Sequence, residues 1–463
     1  MQKRNPSLHY SGFLLFFILI ACAAGAQTVP LMPISMLDAV TLGKNRYHQL
    51  KAVQSDADAA SKNVDVAKYS RLPTIDAAYQ ANMGTANNLT GMFYPGTILP
   101  ITGPPSGKNV YDPVSGSGAG ILINWQAVTF GQRNAQINTA VAEVNSKKSA
   151  LTNQTFQHSI NVLSTYLDVL LSIDLISINQ RNIDRITAGL SQSKMLVSTG
   201  IKPGVDTALF LSELSKARID LLNARKQLET QQWTLAELIA TDSLPVPTDT
   251  SFLEKLPVTE VQRDSGTMNH PVVKFGQSQL EASKAREAYI RKSYLPKLSV
   301  WGTGFARGSG FQPDGSVKTW DGLGLSRYNY GVGLQLSFSI LKYGEVRQQL
   351  AQQEFISKSA QENLEQNKQS LLSQQRIANT TFDNNIAVAR ETQQQLESAK
   401  YAFSAMQFRY NTGLVSFADL IQSQYNLFKA ELDLKRSYWD AWKALLLKAA
   451  VTGDEQVFIN EIR

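Results

Sequence analysis

From Thr74 to Met83 the chain alternates, with Ile75, Ala77, Tyr79, Ala81 and Met83 in one set of positions and Thr74, Asp76, Ala78, Gln80 and Asn82 in the other. A period of two predicts a strand with one apolar face. Residues 329–340 repeat it more sharply: Tyr330, Val332, Leu334, Leu336, Phe338 and Ile340 stand against Asn329, Gly331, Gly333, Gln335, Ser337 and Ser339. Two weaker cases bring the predicted strands to four, at about 72–83, 119–128, 297–307 and 329–341. Gly/Pro/Asn/Ser-rich stretches, 84–118 and 308–328, read as the loops between paired strands. A helical stretch precedes each pair, about 35–70 and 258–294, and ends at Pro73 or Pro296.

After each second strand the pattern becomes helical and stays free of proline from Gly131 to Gly200 and from Gly344 to Gly413. A return helix then runs to about 240 or 451. Each long arm would extend on the order of 100 Å, and a helix of that length needs partners along it. In the second return arm Ala418, Tyr425, Leu432, Trp439 and Leu446 recur every seven residues, flanked by Ile421, Phe428 and Trp442, which reads as a coiled-coil seam. Ile160, Leu163, Leu167 and Leu170 keep a similar rhythm in the first long arm. Glutamines dominate much of 348–395, as in Gln348-Gln349 and Gln393-Gln394-Gln395, and suit a helix with one side in water.

The two halves match. "VTFGQR" at Gly131 answers "LKYGEV" at Gly344, and "STGIKPGVD" at Gly200 answers "NTGLVSFAD" at Gly413 with the same spacing in both copies. "SRLPTI" and "SYLPKL" answer each other before the strands, and the first copy carries a loop insertion between its proline and its glycine. The predicted organisation is a leader, 1–26, then repeats over 27–250 and 251–463, joined by a segment with Pro245, Pro247 and Pro257. The leader has Lys3 and Arg4, an apolar core from Gly12 to Ala24, and Ala24-Gly25-Ala26 before Gln27, the three regions of a secretory signal. Cys22, the single cysteine, follows Leu19-Ile20-Ala21 and offers a second cut, a lipoprotein signal with the cysteine acylated. Both cuts stay open. No later apolar run predicts a spanning helix.

Four alternating strands with long polar loops fit an outer-membrane β-barrel, but four strands cannot close. An open edge in hydrocarbon leaves backbone groups unpaired, so strands must come from other copies of the chain. Two copies give eight strands and a filled interior; three give twelve and a pore. The expected fold is therefore an α+β membrane protein: a twelve-stranded trimeric barrel with antiparallel helical hairpins extending it as a periplasmic tube. The order of elements, the paired Leu-Pro and Gly motifs and the duplicated Thr-Gly-Ile/Leu-x4-Asp turns resemble the TolC family of outer-membrane efflux proteins. That resemblance implies an outer-membrane exit duct, a homotrimer in outer-membrane lipid that docks through its helix tips with a periplasmic membrane-fusion adaptor and an inner-membrane transporter, for efflux or type I secretion.

Gly200 and Gly413 are expected where the hairpins reverse. Thr199, Gly200, Ile201, Thr412, Gly413 and Leu414 resemble the family's adaptor-contacting tips, with Thr in place of the usual Val. Asp419 matches an acid lining the family's entrance constriction, Tyr410 a tyrosine of the bonds that hold it shut, and Asp206 the corresponding acid of the first hairpin. Gln422 stands where a second acid ring is often found and Val415 where an arginine is found. Simple capping accounts equally for both acids: Ser416-x-x-Asp419 fits a capping box and Pro203 a first helical turn. Trp125, Trp301, Trp320, Tyr328 and Tyr330 suit a bilayer interface.

Composition changes little of this. With 43% apolar and 18% charged residues the chain can bury a core, and +7 without a basic run gives no reason to expect nucleic acid. His9, His48, His158 and His270 are scattered, so neither a metal site nor a cofactor is expected, and no catalytic constellation suggests an enzyme. The competing reading is a structural periplasmic coiled-coil protein anchored at the outer membrane.

Overall fold

The computed structural model describes residues 30–85, 87, 107–201, 203–257, 267–312, 314 and 316–461. The predicted leader, Cys22 and much of the first predicted loop lie outside them. In chain order the elements are β1 (Leu31–Ile34), α1 (Met36–Arg46), α2 (His48–Tyr69), β2 (Thr74–Gly84), β3 (Val114–Val128), α3 (Gln132–Ser198), α4 (Val205–Leu238), β4 (Leu244–Pro247), α5 (Pro271–Lys292), β5 (Lys297–Ser309), β6 (Arg327–Ser337), α6 (Lys342–Asn411), α7 (Phe417–Thr452) and α8 (Gln456–Ile459). The described residues fall into two compact units, each drawing on both halves of the chain: those within 1–55, 149–274 and 366–463 form one, those within 56–148 and 275–365 the other.

In the second unit β2, β3, β5 and β6 form an antiparallel sheet in that order. Register makes one face continuous across all four strands. Ile75, Ile123, Gly302 and Val332 form one row, and Ala77, Ile121, Gly304 and Tyr330 the next. Tyr330 is 92% exposed and Leu336 68%, so among the described residues this apolar face has no cover. Trp125 shares it and donates its indole N–H to the Arg71 carbonyl at 2.9 Å. Trp301 instead lies on the polar face, where Gly333 leaves room for it; a Cβ there would stand 2.7 Å from the indole.

Two predicted strand limits are corrected. β3 starts at Val114 rather than 119, inside the stretch read as loop, because its Ser-Gly-Ser-Gly beginning has no large side chains to alternate. Residues 319–322 fold onto it: Ser115 N–H donates to the Thr319 carbonyl (3.1 Å) and Ser117 Oγ to the Gly322 carbonyl (2.7 Å). β6 ends at Ser337, and Phe338 and Ile340 already belong to the turn into α6. Helical parts of this unit meet through small contacts, with Val64 and Ala67 against Ile137 and Ala140, and Thr139 Oγ1 on the Ala285 carbonyl at 3.0 Å.

In the first unit the expected helix at 35–70 breaks at Tyr47, whose backbone is extended and whose ring stacks on His158 at 4.1 Å. The proline-bearing joint is not a bare linker either: Leu244–Pro247 is β4, paired in parallel with β1. Tyr166 Oη ties this small sheet to α3 by donating to the Ile34 carbonyl (2.9 Å). By length and composition α3 could cross a membrane, but half of its apolar window is buried, and Leu163, Tyr166, Leu167 and Val169 there form the main core.

The predicted seam of α7 holds at its C-terminal end, where Trp442 and Leu446 are buried in the main core, and fails toward the tip. Tyr425 is 52% exposed and Ala418 is exposed, whereas Leu420, Leu427 and Ala441 are buried in one heptad column and Ser423, Ala430, Ser437 and Ala444 in the other. Small residues let helices approach closely: Thr392 Oγ1 of α6 lies 2.7 Å from Ser437 Oγ. On its other side α7 meets α3 through Lys443–Asp168 (2.8 Å), Lys435–Asp174 (3.1 Å) and a two-pronged Arg185–Glu431 pair (3.0 and 2.7 Å).

Candidate functional site

Both long hairpins turn through the same structure. Gly200 (φ +72°) and Gly413 (φ +79°) adopt the left-handed conformation that L side chains avoid. At the first, Gly200 N–H donates to the Val197 carbonyl and Ile201 N–H to the Leu196 carbonyl; at the second, Gly413 N–H donates to Tyr410 and Leu414 N–H to Arg409. This is a Schellman cap, with the six-to-one and five-to-two bonds present in both copies. Thr199 and Thr412 close their own last turns through Oγ1, which bonds carbonyls of the preceding turn. Ile201 and Leu414 are left 60% and 69% exposed, an apolar residue at each apex.

The return helices begin differently. Ser416 caps α7 in a full capping box: Asp419 N–H donates to Ser416 Oγ (3.3 Å), and Asp419 Oδ2 accepts from Ser416 N–H (3.1 Å) and its hydroxyl (2.7 Å). The Ser416 hydroxyl, followed by its backbone N–H, holds the exposed Asp419 carboxyl below the usual carboxylate range. Asp206 lies in the first turn of α4, where no side chain caps the helix. It is 6% exposed, and its Oδ2 accepts the Tyr410 hydroxyl at 2.9 Å.

The two acids that the sequence aligns therefore do different things. Asp206 is turned inward and joins the two hairpins through Tyr410. Asp419 faces solvent. Burial, with the hydrogen bond to Asp206 second, pushes the Tyr410 phenol up to about 12, so it remains a proton donor across physiological pH.

Around this bond packs a cluster of Ile186, Leu190, Phe210, Leu214, Phe403, Tyr410 and Leu420. Phe210 sits at its centre, edge-on to Phe417 (4.7 Å) and to Tyr410 (6.4 Å). Its ring occupies the space over Gly189, where a Cβ would come within 2.6 Å of it. Gly189 and Phe210 escaped the sequence reading. A lone glycine inside a proline-free helix was the available signal, since such a residue needs a packing reason to stay. Among the described residues no three His, Cys, Asp or Glu side chains converge as metal ligands.

Comparison with known proteins places this arrangement. The chain matches the family described as "Outer membrane efflux protein" over residues 42–241 and 268–447. It is 22% identical over 413 residues to "Outer membrane protein TolC" of Escherichia coli K12, covering 85% of this chain and 76% of that protein. Its fold is similar to the channel CusC (TM-score 0.74, 13% identity, 91% of this chain and 92% of that one). It is similar also to the CmeC outer membrane channel of Campylobacter jejuni (TM-score 0.72, 14% identity, 90% and 85%). The chain belongs to the outer membrane efflux protein family.

Proposed function

We propose that three copies of this chain close a twelve-stranded barrel in the outer membrane and that their helical hairpins continue it as a periplasmic duct. The observation that carries this reading is the sheet, which among the described residues has four strands, free edges on β2 and β6, and one apolar face exposed from edge to edge. In hydrocarbon the face is solvated, but each unpaired backbone group at an edge costs several kcal/mol, so β6 of one copy must pair with β2 of the next. The helices carry the same signature. α4 leaves Val205, Leu209, Ile219, Leu222 and Trp233 uncovered, and α6 leaves Phe355, Ile377, Val388 and Tyr401 uncovered, apolar area that sister subunits would cover.

Each chain contributes two hairpins, one from 27–250 and one from 251–463. Solutes handed over by an inner-membrane transporter and its adaptor pass through passively, with no bond made or broken by this protein. The adaptor engages the apices at Thr199, Gly200, Ile201, Thr412, Gly413 and Leu414, whose exposed Ile and Leu suit an apolar groove. Tyr410–Asp206 holds the second hairpin against the first and so keeps the entrance narrow. Three Asp419 carboxylates around the axis attract cations to it. Purified full-length protein tests the reading in planar bilayers: trimers with stepwise conductance support it, and monomers without conductance, as a structural coiled-coil protein would give, refute it.

A further inference from the structure

We propose that Arg307 and Arg327 form an anion-binding belt on the polar wall of the barrel, at its loop end, for multivalent oxyanions such as phosphorylated or polycarboxylate solutes. This rests on the channel reading above. The two arginines are direct partners in the β5–β6 register. They share the face of Trp301, Thr303, Phe305, Asn329 and Gln335, opposite the apolar one. Like charges directly opposite on neighbouring strands repel and destabilise the pair, so sheet stability gives no reason for them.

Among the described residues neither guanidinium has an ion pair or a side-chain hydrogen bond. Of the nearby acids, Asp314 accepts from Ser316 (2.7 and 3.0 Å), and Asp321 faces Lys318 (3.9 Å) and Gln312 (3.4 Å). The segment 88–106 between β2 and β3 contains no Asp or Glu at all. The row that holds both arginines is completed by Gly118 and Gln80, which are uncharged. Asp76, the polar-face acid of β2, lies four residues along that strand, about 13 Å away. Three copies would set six guanidinium groups around one lumen, where low-dielectric walls concentrate their field and a planar fork binds oxyanions in two-pronged fashion.

The test is sided block of single-channel current in planar bilayers by tripolyphosphate, with full-length protein. Block from one side only is expected, weakened by about tenfold or more in Arg307→Gln/Arg327→Gln, the loss appropriate to charged hydrogen bonds. Arg307→Lys/Arg327→Lys keeps the charge and should retain much of the block. Unblocked current in wild type, or equal block in the Gln variant, overturns the belt while leaving the channel standing. No current at all overturns the channel and the belt with it. Stronger block in Asp76→Asn overturns it too, since that carboxylate would then have been neutralising the arginines across a subunit boundary. Equal block in phosphatidylcholine and phosphatidylglycerol bilayers assigns the belt to dissolved anions; loss of block in phosphatidylglycerol means that lipid headgroups fill it and overturns the luminal assignment.

Discussion

At the scale of single residues, the two aspartates that begin the return helices separate into a structural bond and a surface charge, and each makes its own prediction. Tyr410→Phe removes the donor from a buried carboxylate, a loss of about 1–3 kcal/mol. The α6–α7 hairpin is then held less firmly on α3–α4, so single-channel conductance and entry of bulky antibiotics should rise. Asp206→Asn, which retains an acceptor, should do less. Unchanged current in Tyr410→Phe removes this bond from the gate. For Asp419 the sign is set by its lowered pKa: the carboxylate stays charged, and its contribution to the cap is complete above about pH 4 and lost only as pH falls through the lower folded value. Divalent-cation block of the current should therefore persist at pH 5 and vanish in Asp419→Asn, which can still accept from Ser416. Block that survives in Asp419→Asn leaves capping as the only role of this residue. The sequence aligned Asp206 with Asp419 because the turns are duplicates. It could not separate them, since the partner of Asp206 lies on the other hairpin, 204 residues away.

At the scale of elements, the sequence disclosed what depends on period and concealed what depends on size and partner. The Pro-free arms, their glycine turns and the alternation in β2 and β6 were legible because one repeat length governs many positions. The phase of the α7 seam near the tip was not, because the large Tyr425 suggests the seam whereas the buried column is lined by small residues, Ser423, Ala430, Ser437 and Ala444, of which Ser437 meets Thr392 of α6. For the same reason the start of β3, built from serine and glycine, looked like loop. β1 and β4 are too short and proline-rich to carry a pattern at all. Size also makes the next prediction. Gly189→Ala drives a methyl into the Phe210 ring and should cost about 1–3 kcal/mol, read as a lowered melting temperature, with Phe210→Leu restoring part of it. Equal loss in the single and the double variant would mean that the ring does not fill that space. A second element-scale effect concerns His270, where α5 begins. Its Nε2 donates to the Ala450 carbonyl (2.9 Å), and its Nδ1 accepts from Val272 N–H (3.1 Å), so only the neutral ring serves both. Burial lowers its pKa; stability is complete above about pH 6.5 and falls as pH drops through the folded value. The fall in melting temperature between pH 7 and pH 5 should be smaller in His270→Gln.

At the scale of the whole molecule, the deciding question is which strand meets which. Inside one chain β2 and β6 are separated by β3 and β5, three strand spacings or about 14 Å, well beyond the roughly 7 Å that a disulfide tolerates between Cα atoms. A disulfide between these two edges can therefore form only between subunits. The chain's single cysteine is removed under one predicted cut and has its thiol acylated under the other, so engineered pairs would report without interference. Cysteine at Gln80 on β2, combined in turn with cysteine at Asn329, Gly331, Gly333 or Gln335 on β6, scans the polar face of the unknown joint two residues at a time. Because register on a strand is discrete, one pairing should crosslink strongly and its neighbours weakly. Each subunit offers one β2 and one β6, so partial oxidation should give a ladder of one, two and three chains on non-reducing gels, and complete oxidation a covalent trimer. A ladder that continues past three would mean an open fibre of edge-paired chains, and monomer in every pairing would mean that the edges are not joined. Either result removes the closed barrel, and with it the reason for reading the polar face as the wall of a channel.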